Sequence, residues 1–328
     1  LGAEIARALL DADHEVVALV RDKCRAAELL GSGAELCEGR VEATESWARD
    51  LADCDDLIHT AAKVAAWGAA PEEFDRVNVA ASIALVEKAQ EFGMDRILAT
   101  GSLFALGPSA PGERLTAAAV DRPMAALQRA NDYVRTKAVA ARRLAELQRA
   151  GSPVIQLFPT VLIGPGRRTE GNHVANVFSD IGRKRHPGLV GNGLQEWNLV
   201  PVESAARAHV QALEQAPEGQ NFVVGGEEWT QESLVRAAAE AFGVKPPLRK
   251  LGRRLPLAVA AVSETVARIT RKPPLLTRAE VVLYDAHWAF DSTRAREAFE
   301  YDPAPVEPVI RETVRWIRDD IWPREEGA

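Results

Sequence analysis

The sequence predicts an α/β fold built on a doubly wound parallel sheet, followed by a smaller, mostly helical C-terminal lobe. Three observations carry this. Apolar runs rich in Val, Ile and Leu recur at residues 16–21, 35–41, 57–62, 96–102, 154–163 and 221–224. Such near-continuous runs suit parallel strands covered on both faces. Helical patterns fill the intervals, at residues 3 to 10, 23–30, 46–53, 71–92 and 130–150, and alternation at this spacing is that of right-handed βαβ crossovers. The pattern changes after Gly164, where Gly164, Pro165, Gly166 and Gly171 are followed by Pro187, Gly188, Gly191 and Gly193.

The elements follow in order. Residues 3 to 10 place Ile5, Ala8 and Leu9 on one apolar face. This helix leads directly into the run at 16–21, and Leu1 and Gly2 read as the end of a glycine-rich turn. A helix so placed should itself follow a strand, so the fold is expected with its first strand missing from this sequence. The run at 57–62 ends in the small residues Thr60, Ala61 and Ala62, which let a ligand pass close to the backbone. The run at 96–102 ends in Ser102, at the carboxyl end of a strand, where ligands of such sheets bind. The last helix, at 306–321, aligns Val309, Ile310, Val314, Ile317 and Ile321. Residues 1–163, with 200–224 returning to them, are assigned to a dinucleotide-binding unit. Residues 164–199 and 225–328 are assigned to a substrate lobe.

Composition narrows the function. The 328 residues hold 40 basic and 47 acidic side chains, a net charge of −7. That disfavours a general electrostatic grip on nucleic acid or anionic membrane and leaves only a local patch open. The longest apolar run, 255–262 around Pro256, is far too short to span a bilayer. Three cysteines without a C-x-x-C spacing, and six scattered histidines, make no disulfide framework or metal set, so no metal is expected. A reducing, cytoplasmic setting is expected.

The chemistry concentrates at Tyr133 and Lys137. Their i, i+4 spacing puts them on one helical face. A nearby ammonium favours a phenolate, so Lys137 is expected to lower the Tyr133 pKa and fit it for proton transfer at a carbinol oxygen. Ser102, at its strand end, is expected to hydrogen-bond the same oxygen.

With these residues in place the sequence resembles the extended short-chain dehydrogenase/reductases, also described as NAD-dependent epimerase/dehydratases, over nearly its whole length. The resemblance implies a Rossmann-like sheet and catalytic roles for Ser102, Tyr133 and Lys137. Gly2 matches the last glycine of the family's Thr-Gly-x-x-Gly-x-x-Gly turn. His59, Thr60, Ala61 and Ala62 match its H-x-A-A segment, Asn78 its helix-leading asparagine, and Pro159 the proline beside the nicotinamide. Lys63, Thr100 and Leu162 fall at further cofactor-lining positions. Phe104, Arg167, Arg168, His173, Asn176 and Trp197 fall in segments that line the substrate crevice. The tail, with Trp288, Asp291 and Tyr301, is similar to dihydroflavonol-reductase-like and 3β-hydroxysteroid-dehydrogenase-like members.

NAD-preferring members carry an acidic residue where this chain has Val20, followed by Arg21 and Lys23. An apolar residue there removes repulsion against a 2′-phosphate, and Arg21 can pair with it. NADP(H) is therefore expected over NAD(H). Where family members often carry Gly-Asp beside the adenine, this chain has Glu38, Gly39, Arg40 and Val41.

The leading expectation is hydride transfer between the nicotinamide and a small-molecule carbonyl or secondary alcohol. The alternatives are a sugar-nucleotide epimerase or dehydratase that retains NAD, with basic residues between 167 and 185 gripping a diphosphate, and a dinucleotide sensor without catalysis. Similar proteins often form homodimers through the Tyr helix. A chain beginning at Leu1 is expected to bind cofactor poorly and to be unstable. Adding a strand and turn, on the order of 10 residues, is expected to restore both.

Overall fold

The computed structural model describes residues 1–65, 67–129, 131–166 and 171–326. Nine strands are formed among them: β1 (Val17–Val20), β2 (Glu35–Glu38), β3 (Asp56–His59), β4 (Arg96–Thr100), β5 (Ile155–Pro159), β6 (Val161–Ile163), β7 (Glu196–Pro201), β8 (Asn221–Val224) and β9 (Glu227–Thr230). The four strands β3-β4-β5-β8 form a wholly parallel sheet in that order. β1 and β2 pair in parallel as a separate ribbon. Among the described residues no ladder joins β1 to β3, the place where a further strand is expected from the sequence.

Double winding is visible along β4. Ile97 and Ala99 pack into one core with Leu85, Val86 and Ala89 of the helix Ala81–Glu91. Leu98, pointing the other way, packs with Ala205, Ala208 and Ala212 of the helix Val202–Gln215. Successive side chains of a strand face opposite sides, so helices must cover both faces of these apolar runs. The helix Gly2–Asp11 lies against Val202–Gln215 on that second face.

Two sequence expectations need correction. The single strand expected at 154–163 is two, in different sheets. β5 closes the parallel sheet against β8, while β6 pairs with β7 in a second sheet of order β6-β7-β9. The break falls at Thr160, whose N–H still bonds Val224 O at 3.1 Å before the chain leaves the first sheet. The helix expected at 46–53 is a single 3-10 turn, Thr44–Ser46, followed by turns. Buried Trp47 donates from Nε1 to Val41 O at 3.2 Å, folding this segment back onto the end of β2. β7 and β9 were not expected at all. The helix expected at 71–92 is present, but its residues Asp75–Ala80 form a π-helical stretch that carries Asn78.

Candidate active site

The helix Asp132–Arg149 starts at Asn131, whose side chain accepts from Val134 N–H at 3.2 Å, so Tyr133 sits in its first turn. Ser102 is not the last residue of β4. It caps the short helix Leu103–Leu106, with Oγ accepting from Phe104 N–H at 3.3 Å. From there its hydroxyl lies near enough to Tyr133 to favour the phenolate. Just before Ser102, Gly101 passes so close to the Phe158 ring that a Cβ would lie 2.5 Å from it.

Lys137 lies one turn beyond Tyr133, and its Nζ donates to Thr100 O at 3.0 Å. Burial brings this ammonium down to about 8. Burial also pushes the Tyr133 phenol above its ordinary value, a rise that the nearby Ser102 hydroxyl only partly offsets. This corrects the expectation that Lys137 lowers the Tyr133 pKa. Desolvation of the phenolate outweighs any help from the ammonium, which is itself held by a backbone carbonyl.

Around this set the polar groups are firmly committed. Asn78 clamps the loop after β3: its Oδ1 accepts from Lys63 N–H at 2.6 Å, and its Nδ2 donates to Lys63 O at 3.1 Å and to Thr136 Oγ1 at 3.0 Å. The Lys63 ammonium pairs with Glu73 at 2.9 Å. His59 Nε2 bonds Ser82 Oγ at 2.8 Å, and burial first, then the Lys137 charge, bring it down to about 3. His209 bonds Thr100 Oγ1 at 3.1 Å, and burial brings it down to about 4. Both imidazoles are therefore neutral near pH 7, and the Lys137 ammonium is the nearby cation.

The side of the crevice beyond Tyr133 is aromatic. The Phe104 ring meets Tyr133 edge-on at 6.0 Å and Trp288 edge-on at 5.1 Å. Trp197 stacks on Tyr284 at 5.4 Å and donates from Nε1 to Ala286 O. Phe104, Trp197 and Trp288 share one apolar cluster. His173 and Asn176 lie on the helix His173–Gly182, where burial lowers the His173 pKa and Glu280 opposes the shift. Arg167 and Arg168 lie outside the described residues. Arg183, at the far end of the basic run, pairs with Glu325 at 2.9 Å and lies over the Trp322 ring.

The residues present fit a dinucleotide at its nicotinamide–ribose end. Lys137 is half-buried with one of its three N–H donors bonded, which suits a ribose diol. Ala61 and Ala62 leave the chain without bulk just beyond β3, Pro159 ends β5, and Leu162 lies within β6. At the phosphate end Gly2 opens its helix so close to Thr60 that a Cβ would lie 2.9 Å from the Thr60 hydroxyl. Arg21 is exposed just after β1 and has no side-chain partner among the described residues.

The sequence pattern of the NAD dependent epimerase/dehydratase family matches residues 1–225. The chain belongs to this family. It is an extended short-chain dehydrogenase/reductase, and its kin are NAD(P)-dependent enzymes. It is 25% identical over 321 residues to sterol demethylase protein B of Methylococcus capsulatus, covering 97% of this chain and 95% of that one. It is 24% identical over 313 residues to a 2-alkyl-3-oxoalkanoate reductase of Stenotrophomonas maltophilia, covering 92% of each. Among solved structures it superposes on gox2253 with a TM-score of 0.79, at 29% identity, over 97% of this chain and 94% of that one. The NAD complex of Thermus thermophilus UDP-glucose 4-epimerase shares the fold, with a TM-score of 0.74 at 20% identity, over 97% and 96% of the two chains.

Two contributors were not singled out from the sequence. Thr136 lies between the two motif residues and accepts from Asn78 Nδ2 through its hydroxyl. Tyr284 comes from a segment 151 positions beyond Tyr133 in the chain, and no local pattern marks it.

Proposed function

We propose that this enzyme is an NADP(H)-linked reductase of a ketone carried on an apolar framework, working by a Ser102–Tyr133–Lys137 mechanism. The observation that carries the proposal is the half-buried Tyr133, its phenol pKa raised by desolvation, set near Ser102 and beside an aromatic wall. A phenol kept neutral by burial is a proton donor. It can give its proton to the oxygen of a carbonyl under reduction. The bound nicotinamide supplies hydride. Ser102 and Tyr133 together hold the carbonyl oxygen, and Tyr133 passes its hydroxyl proton to it as negative charge develops there. The Lys137 ammonium, one turn away, stabilises the phenolate left behind and holds the ribose. Asn78 positions both the cofactor loop and, through Thr136, the catalytic helix.

Two further points support a reductase of apolar ketones. Phe104, Trp197 and Tyr284 offer aromatic surface, while Arg183 is committed to Glu325 and Trp322 rather than to a diphosphate. Relatives along most of the chain carry the names of a 3-oxoalkanoate reductase and a sterol-processing protein. The test is a ketone panel followed by NADPH absorbance, with Tyr133→Phe alongside the native enzyme. Ketone-dependent oxidation of NADPH that drops on the order of 10²- to 10⁴-fold in Tyr133→Phe, with NADPH binding kept, is expected. Near-native turnover in that variant refutes the mechanism. Epimerisation of nucleotide sugars with no net NADPH consumption refutes the reductase reading and assigns the alternative.

A further inference from the structure

The helix Arg254–Thr270 is built inside out. A helix on the surface of a globular protein turns its large apolar residues inward. Here the inward positions are Pro256, Ala260, Glu264 and Ala267, with Glu264 held by Arg278 at 2.8 Å. The large apolar residues face outward. Leu255, Val259, Val262, Val266 and Ile269 recur at spacings of four and three, a continuous stripe along one exposed face, with Val262 65% and Ile269 79% exposed. Leu275, just past the helix, is 89% exposed. These six make up most of the large exposed hydrophobics among the described residues, five of them on the helix and Leu275 just beyond it.

The charge around the stripe is equally lopsided. Residues 249–272 contain Arg249, Lys250, Arg253, Arg254, Arg268, Arg271 and Lys272 against the single acid Glu264, in a chain of net charge −7. Arg254, Arg268, Arg271 and Lys272 have no acidic partner among the described residues, whereas Arg253 meets Asp285 at 3.6 Å. The apolar stripe is thus bracketed by cations at both ends, and its exposed face carries no acid.

We propose that this helix docks the enzyme on an anionic lipid bilayer, lying flat with Leu255, Val259, Val262, Val266 and Ile269 at the acyl boundary and the terminal arginines and Lys272 among the headgroups. Apolar stripe plus flanking basic residues is the chemistry of an interfacial helix. A second copy of the chain fits less well. Antiparallel pairing along the stripe sets Arg253 and Arg254 against Arg268, Arg271 and Lys272, and parallel pairing sets each cation against itself, with no acid on the face to relieve either. The helix is too short and too charged at its ends to cross a membrane, and no described helix is long and apolar enough to do so. It packs against the helix Arg278–Tyr284, whose last residue stacks on Trp197 at the crevice, so a docked bilayer would lie beside the substrate entrance.

The test is co-flotation of the full chain with vesicles of phosphatidylcholine alone or mixed with phosphatidylglycerol. Binding to the mixed vesicles is expected, weakened by salt. Val262→Glu with Ile269→Glu should abolish it while leaving the melting temperature unchanged. Arg268→Gln with Arg271→Gln and Lys272→Gln leaves the apolar stripe intact and should weaken binding by roughly five-fold per charge removed. This second variant carries the test if the first fails to fold. No flotation of the native chain, or flotation of both variants equal to that of the native chain, overturns the proposal. A native dimer that the paired Glu substitutions convert to monomer, without vesicle binding, overturns it in favour of self-association.

Discussion

Replacing Lys137 with Met should make the nucleotide-free protein more stable near pH 7, while removing its activity. The ammonium is half-buried, and desolvation holds it down to about 8 against an ordinary 10.5. At roughly 1.36 kcal/mol per pH unit, that gap means the folded state carries a cost of about 3 kcal/mol for keeping this group charged. Methionine preserves the packed stem and removes the charge. It also strips Thr100 O of its donor, which costs about 1 kcal/mol. The net expectation near pH 7 is a gain of about 2 kcal/mol. The pH dependence gives the sharper signature. A base whose folded pKa is lowered binds its proton more tightly when unfolded, so native stability rises with pH across the interval between the two values. The burial cost is fully present below about 8 and gone by 10.5. Lys137→Met should therefore lead near neutral pH, lose its lead as pH climbs, and fall behind the native chain by about 1 kcal/mol at the upper end. Urea unfolding curves of both proteins across that range measure this. A variant that is less stable near pH 7, or a difference that stays constant with pH, refutes the reasoning.

The same lysine should shape catalysis: reduction of a ketone substrate should fall as pH rises through about 8, because the ammonium that stabilises the departing phenolate is lost, and a pH profile of kcat/KM shows this directly. Gly101→Ala drives a Cβ to within 2.5 Å of Phe158 and should destabilise by about 1–3 kcal/mol in thermal or urea unfolding. Asn78→Ala strands the backbone of Lys63 and should cost about 1–3 kcal/mol while raising the KM for NADPH, with Asn78→Asp recovering only the bond from Lys63 N–H. Arg21→Ala should weaken NADPH binding by about ten-fold and leave NADH unchanged if this exposed arginine meets the 2′-phosphate; equal losses for both nucleotides on titration would remove that role.

Much of the architecture was legible because its signals are local. Apolar runs at β3, β4, β5 and β8 mark strands buried on both faces, and the i, i+4 pairing of Tyr133 with Lys137 follows from helical geometry alone. Other features depend on contacts distant in sequence. Nothing around residue 160 reveals that the chain changes sheets there, because that choice is made by β7, which arrives some forty residues later to pair with β6. The expected helix at 46–53 lost to the burial of Trp47, a tertiary contact that outweighs helical propensity.

The sequence by itself determined the fold class and the family and marked the candidate site residues, since each of these is written in periodicity or in short motifs. Only the tertiary structure decided their electrical state. Spacing put a lysine one turn from a tyrosine and suggested an easily ionised phenol. Folding half-buried the pair, and removing water from a charge outweighs a single neighbour, so the phenol keeps its proton and the lysine holds its own more weakly. Only the structure, too, showed that the large side chains of residues 255–269 face outward, because a helical stripe reads the same in sequence whether it meets a core or an open surface.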